Sequence, residues 1–270
     1  MNPLLRETEG EFVRRVFVCA RYSNAPETFL RRNTTSPDPD RNHSTDGDTM
    51  KIVPSKTDTF EQRVADAAKL VPLPRSFYNR DPRRVSRDLL GKVLLRRNGA
   101  QVLAGRIVEV EAYLRGDPAA HSFIGRTSRN AVLWGPPGIS YVYFIYGNHY
   151  CFNVSCLPDG VAGGVLFRAV EPLAGIKEMV RARHLKIEDA SDLRKLTSGP
   201  GRLAEAFGIT RERDNGKDLT SAESDLWIAD DGEPRPAVKV TKRIGITKAA
   251  ERPLRYIVPG NAFVSGRKVV

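Results

Sequence analysis

Two short turn signals constrain this chain more than anything else in it. Asn98-Gly99 separates Lys92–Arg97 from Gln101–Leu114, and Gly147-Asn148 separates Ser140–Tyr146 from His149–Ser155. Such pairs tolerate the left-handed backbone of a tight hairpin, and the flanking runs are rich in β-branched and aromatic residues. Each signal therefore predicts two antiparallel strands. Gly164–Val170 is a further apolar run, and Asp225–Ile228, Val238–Ile246 and Arg255–Val258 are shorter strand candidates. Helices are expected at three places. Asp81-Pro82 supplies an N-cap and a favoured first helical residue, with Val85, Leu89 and Leu90 at helical spacing before Gly91. Pro172–His184 and Pro200–Phe207 read as the other two, the last introduced by Gly199-Pro200-Gly201. This mixed order lacks the strand–helix alternation of a parallel sheet. The expected fold class is α+β: a single compact domain over residues 73–270, with a curved antiparallel sheet and surrounding helices.

The segment before it differs. Residues 1–72 carry 11 basic and 11 acidic side chains, and Ser36–Asp48 is polar, proline-rich and without apolar period. A largely disordered N-terminal extension is expected, with Met50 a second candidate for the true start. Phe12–Ala20 is interrupted by Arg14 and Arg15, so it does not read as a secretory signal. The whole net charge of +11 thus belongs to residues 73–270, which directs attention to a polyanionic partner. No apolar run reaches the roughly 18 to 20 residues of a membrane helix, so no membrane partner is expected. Cys19, Cys151 and Cys156 suggest neither a disulfide framework nor a thiolate metal site, and a reducing compartment is the default. The four histidines show no metal-ligand spacing, and no metal is expected.

In a strand through Glu109-Val110-Glu111-Ala112-Tyr113, side chains alternate, so Glu109, Glu111 and Tyr113 share one face. If the strand is central, a carboxylate there is either a general base in a cleft or a structural group bonded to arginine and backbone amides. His121, in the loop after the strand, is by itself more often structural than functional. Arg168 in the apolar run Gly164–Ala169 needs an anionic partner, a carboxylate or a phosphate. The stretch Ser140–Tyr150 packs four tyrosines into one hairpin. Tyr141 suits a β-rich core, whereas Tyr146 sits at the turn and can protrude. In a basic protein, a protruding aromatic can wedge between base pairs, and an aromatic cleft can stack an extruded base.

These stretches resemble the alkyladenine (3-methyladenine) DNA glycosylases. The resemblance rests on Arg106–Tyr113, Asp117–Ser122 and Tyr141–Gly147, and continues through Leu166–Leu173, Ser198–Leu203 and Arg243–Ile246 in family order. It implies hydrolysis of the bond between a damaged purine and deoxyribose without metal or cofactor. It implies further that Glu111 activates the water and that Arg168 helps to hold it. Tyr113, His121 and Tyr143 then form the pocket that stacks and reads the flipped base, Asn153 is the wall residue that obstructs the amino group of normal guanine, and Tyr146 fills the gap in the duplex. Asn148 and Ser128 depart from the family pattern, which has a larger apolar residue and a proline there. Arg126, Arg129, Arg202, Lys242 and Arg243 are the expected phosphate contacts. No matching lysine is placed to form a Schiff base, so a monofunctional enzyme is expected.

The implied partner is double-stranded DNA containing damaged purines, bound by a monomer. The implied location is the cytoplasm, at the nucleoid, if the source is bacterial, and the nucleus if it is eukaryotic. Two other functions fit parts of the pattern. A hydrolase acting on RNA or free nucleosides explains Glu111 and the aromatics but not Tyr146. A non-catalytic damage binder explains Tyr146 and the charge but not Glu111.

Overall fold

The computed structural model describes residue 67, residues 69–189 and residues 191–266. The expectations for the N-terminal extension, Met50 and Cys19 lie outside these residues. Among the described residues the sheet contains eight strands: β1 Val93–Asn98, β2 Gln101–Tyr113, β3 Ser140–Ile145, β4 His149–Ser155, β5 Gly164–Ala174, β6 Leu226–Ala229, β7 Lys239–Thr241 and β8 Arg255–Ile257. Its order is β3-β4-β5-β2-β1-β6, and every pairing is antiparallel. The central strand β2 has β5 along one edge and β1 followed by β8 along the other, with β7 outside β8. Because β2 is covered on both faces, it is buried almost throughout, including the positions of Glu109 and Glu111.

The helices are α1 Arg75–Tyr78, α2 Pro82–Leu89, α3 Ile176–Ala182, α4 Arg194–Thr197, α5 Pro200–Ala206 and α6 Arg211–Asp214. Helix α2 begins as the sequence predicts, with Asp81 accepting from the Arg83 amide at 2.8 Å and Pro82 in the first turn. It turns Val85 and Leu89 into the main core, while Leu203 and Ala206 of α5 enter the same core against β4 and β5. Phe152 of β4 and Phe167 of β5 stack there at 4.6 Å between ring centroids. Among the described residues, no helix is long and apolar enough to cross a membrane.

Several boundaries differ from the sequence expectation. Pro172 lies in strand, not helix: β5 runs on to Ala174, where a register shift beside Ala104 and Gly105 absorbs the residue without an N–H. The helix begins only after Gly175, whose φ of 70° turns the chain; a β-carbon there would strike Leu103 and the Val102 carbonyl. The strand expected over Val238–Ile246 shrinks to three residues. In the second hairpin the turn is centred one residue earlier than expected, on Tyr146 and Gly147, which take φ values of 56° and 74°. The domain also begins before residue 73. Pro72 bridges to Ala229, and the indole N–H of Trp227 donates to the Leu70 carbonyl at 2.9 Å. Leu70 thereby packs with Trp227, Val93 and Leu95 in a second cluster beside the main core.

Candidate active site

The chemistry gathers around a pair of compensating bulges between β2 and β5. Ile107 faces Val170 and Glu109 faces Ala169, which leaves Val108 as an extra residue; Val110 then faces Phe167, which leaves Arg168 as the counter-bulge. A bulge re-aims a side chain without ending the ladder. Here it brings Arg168 onto the face that carries Glu109 and Glu111. Arg168 Nε donates to Glu109 Oε1 at 2.8 Å, and its Nη1 lies 3.3 Å from Glu111 Oε1. The anionic partners that the sequence demanded for Arg168 are therefore carboxylates.

The two acids have different surroundings. Glu109 is enclosed: Oε1 accepts from Arg168, from Arg255 Nε at 2.7 Å and from the Ser265 hydroxyl at 2.9 Å, and Oε2 accepts from the Ser265 amide at 2.5 Å. Glu111 accepts from the Ile244 amide at 3.0 Å on Oε1, and from the Tyr113 hydroxyl at 3.0 Å on Oε2. Burial, then the charge of Glu111, pushes the Tyr113 hydroxyl well above the usual tyrosine range, so it stays protonated and keeps donating. Arg168 adds an ion pair at Oε1 rather than a third hydrogen bond, since its Nη1 donates to the Ile244 carbonyl at 3.3 Å; Oε2 thus carries one hydrogen bond of the about two it can accept. One position on Oε2 is left for a further donor such as water.

Arg243 corrects the sequence expectation. It is not a surface phosphate contact: its side chain is buried, its guanidinium forms a forked pair with Asp117, and it also donates to the Ala112 and Ala249 carbonyls. Burial raises the Asp117 carboxyl, but the Arg243 bonds and the Ala119 amide outweigh this and hold it below its usual range. The pair ties the loop after β7 to the loop after β2. It thus fixes the Ile244 amide over Glu111, while the guanidinium backs the Tyr113 ring at 4.9 Å.

Beside Glu111 opens a pocket of about 110 Å³, lined by Tyr113, His121, Tyr141, Tyr143 and Asn153 among others. This is far below the roughly 300 to 1,000 Å³ of sites for drug-sized ligands, and suits one flat heterocycle. Tyr143 meets His121 edge-on, with centroids 4.3 Å apart. His121 Nδ1 lies 2.8 Å from the Tyr141 hydroxyl. Burial first, then the cation of Arg129, lowers the His121 pKa, so the ring is neutral at neutral pH. Asn153 is held by its amide nitrogen, which donates to the Tyr141 carbonyl at 3.1 Å and the Cys151 carbonyl at 3.3 Å. All four predicted pocket residues, Tyr113, His121, Tyr143 and Asn153, thus come together next to Glu111.

At the rim, Tyr146 is 78% exposed at the hairpin tip. A non-glycine residue in left-handed backbone is uncommon, and the flanking pair Ile145–His149 holds it there. Arg126, Arg129, Arg202 and Lys242 are all solvent-accessible, with Arg202 in the first turn of α5. Arg129 also lies over the Tyr143 ring, 6.0 Å from its centroid. Among the described residues, no three of His, Cys, Asp and Glu are grouped to hold a metal ion.

A family model for methylpurine-DNA glycosylase matches residues 76–262, which spans the sheet, the pocket and the loop after β7. The chain belongs to the methylpurine-DNA glycosylase family. It is a DNA glycosylase of the monofunctional, hydrolytic kind, and DNA repair is its field of action. It is 65% identical over 202 residues to a protein of Koribacter versatilis named "Putative 3-methyladenine DNA glycosylase", covering 74% of this chain and 96% of that one. Proteins of the same name from Burkholderia cenocepacia and Methanoculleus marisnigri are 48% and 47% identical; 72% of this chain aligns in each case, with 91% and 99% of theirs.

Sequence reasoning missed three contributors to the glycosylase site. Tyr141 reads as core and is buried, yet its hydroxyl orients His121. The Ile244 amide is a backbone donor and has no residue-type signature. Asp117 directly precedes Pro118 and reads as a turn residue; nothing in its stretch signals a partner 126 residues away.

Proposed function

We propose that this glycosylase extrudes alkylated or deaminated purines, of the 3-methyladenine, hypoxanthine and ethenoadenine class, from duplex DNA. It then hydrolyses the N-glycosidic bond with water activated by Glu111. The observation that carries this reading is the buried Glu111 carboxylate beside an aromatic pocket, with two fixed donors, an ion pair to Arg168 and an acceptor position left over on Oε2. A water on that position gives its proton to Glu111 as its oxygen bonds to C1′ of the sugar. The C1′–N bond breaks at the same time, and its electron pair leaves with the base. Arg168 and the Ile244 amide hold the carboxylate still, which keeps the water aligned.

Extrusion costs a few kcal/mol, least where damage has already weakened pairing. Stacking on an aromatic returns about 1 to 3 kcal/mol per base. Tyr113 and Tyr143 supply that stacking, and neutral His121, oriented through Nδ1 by Tyr141, presents its other ring nitrogen to the base edge. Asn153 is rigid enough to exclude a purine carrying an extra amino group, while Tyr146 fills the space vacated in the duplex. The partner is double-stranded DNA, met by a monomer.

The test is a single-turnover assay on a short duplex carrying one hypoxanthine, with and without hot alkali, comparing wild type with Glu111→Gln. Glutamine keeps an oxygen for the Ile244 amide, so the variant should fold. Breaks seen only after alkali and lost in the variant are the expected result. Tight, salt-sensitive binding with no breaks on hypoxanthine or alkylated DNA would instead favour a damage binder, and turnover of free nucleosides at equal efficiency would favour a nucleoside hydrolase.

A further inference from the structure

The pocket and Tyr146 do not account for the neighbouring 3₁₀ turn His121–Ile124. Five large apolar side chains stand out from the described surface, and four of them, Phe123, Ile124, Phe144 and Tyr146, belong to the tyrosine hairpin and the 3₁₀ turn His121–Ile124. Phe123 is 52% and Ile124 79% exposed. Adjacent exposed apolar residues on a mobile loop would call for little comment, but this loop is pinned. Buried Asn130 donates to the His121 and Gly125 carbonyls at 2.9 Å each and accepts from the Thr127 amide at 2.8 Å. A framework so built to hold two hydrophobes out in water points to a contact surface.

Phe123 and Ile124 face Tyr146 across a cleft of about 460 Å³ that adjoins the base pocket, and Arg129 and Lys248 line the same cleft. Exposed Arg126 stands two residues beyond Ile124. Apolar tips flanked by cations fit a nucleic-acid groove, where side chains such as Phe and Ile wedge against base steps while Arg and Lys take the phosphates. We infer that Phe123 and Ile124 form a second apolar prong that packs in the groove of duplex DNA beside the lesion, on the far side of the cleft from Tyr146. The two prongs bracket the extruded nucleotide. The inference rests on the duplex-DNA reading above for its occupant, so its test is a binding measurement that needs no turnover.

The probe is a fluorescent duplex with one tetrahydrofuran abasic analogue, and the reference is the same labelled strand alone, both titrated at about 0.1 M salt, where surface charge is partly screened. Phe123→Ser and Ile124→Ser should each weaken duplex binding about tenfold, the factor that corresponds to about 1.4 kcal/mol of lost apolar burial. Single-strand binding should change less than about twofold, since a single strand has no groove. Ile124→Leu should bind as wild type. Melting temperatures should be unchanged, because both side chains are exposed. Equal weakening on duplex and single strand would place the residues in the pocket and overturn the inference, as would no weakening on either. An inert wild type on every lesion would remove the proposed reaction and leave this comparison standing.

Discussion

Glu109 offers the sharpest test of how the site is built, because it touches no part of the pocket and yet anchors what does. Glu109→Ala removes one acceptor oxygen from Arg168, Arg255 and the Ser265 hydroxyl, and another from the Ser265 amide. Two buried guanidiniums then lose a counter-charge. Breaking a buried pair from one side costs about 3 to 5 kcal/mol. For a domain of roughly 150 to 250 residues, each kcal/mol moves the melting temperature by about 2 to 4 °C, so a fall of about 6 to 20 °C is expected. Glu109→Gln should lie between. Its carbonyl can serve the two arginines, but its amide nitrogen turns a donor toward the Ser265 N–H, at a cost of about 1 to 3 kcal/mol for the unsatisfied group. Both substitutions should lower kcat more than they raise KM, since Arg168 loses the bond that aims its Nη1 at Glu111. The assays are thermal unfolding at pH 7 and single-turnover excision. An alanine variant that melts within about 2 °C of wild type, or that keeps full kcat, would refute the claim that Glu109 holds the site together.

Three further outcomes follow from the same geometry. Arg126→Ala should reduce the slope of log affinity against log salt by about 1, as expected for one phosphate contact, whereas Arg243→Ala should leave the slope alone and lower stability by about 3 to 5 kcal/mol; salt titrations of DNA binding alongside melting curves separate the two. His121 is buried neutral with a pKa below its unfolded value, so the unfolded chain binds more protons. Its contribution to stability is complete above about pH 6.5 and is lost as pH falls through the lowered folded value, and His121→Gln should flatten that part of a stability-versus-pH curve. A chain lacking residues 1–49 should keep wild-type excision rates. One lacking residues 1–72 should melt lower, because it strips Leu70 from Trp227 and ends the Trp227 indole bond.

The parts of the fold that could be read from the sequence are those governed by neighbours. The alternation of Glu109, Glu111 and Tyr113 put both acids and the tyrosine on one face because β2 is regular there, and the Tyr113–Glu111 bond bears this out. Asn98-Gly99 and Gly147 marked both hairpins because left-handed backbone favours particular residues. What escaped was set by distant partners. Arg243 follows Lys242 in a polar stretch and reads as surface; only the arrival of Asp117 makes its burial affordable. The bulge at Arg168 exists only against the opposed bulge at Val108, which neither strand reveals alone. Pro172 reads as a helix start because proline is favoured at the first helical position, and it stays in strand where a register shift removes the need for its N–H.

The same long-range pairing predicts how the proposed reaction should depend on the charge of the lesion. Around the pocket, Glu109, Glu111 and Asp117 are matched by Arg168, Arg255 and Arg243, so the buried shell has no net charge when Glu111 is ionised. A neutral shell neither draws in nor repels a substrate by its overall charge. On the proposed reaction, such a shell would let one site take cationic alkylated purines as well as neutral hypoxanthine. Glu109→Gln leaves the shell at +1. With a neutral purine, the transition state separates a positive sugar from a negative base and carries no overall charge; with a cationic purine, its total is +1. At a separation of about 10 Å and an effective dielectric of about 20, the added repulsion is about 1.7 kcal/mol, roughly tenfold in rate. We therefore expect Glu109→Gln to lower kcat/KM for a 3-methyladenine duplex about tenfold more than for a hypoxanthine duplex. An equal loss on both would show that Glu109 acts through the position of Arg168 alone, and that the charge balance of the shell does not shape lesion choice.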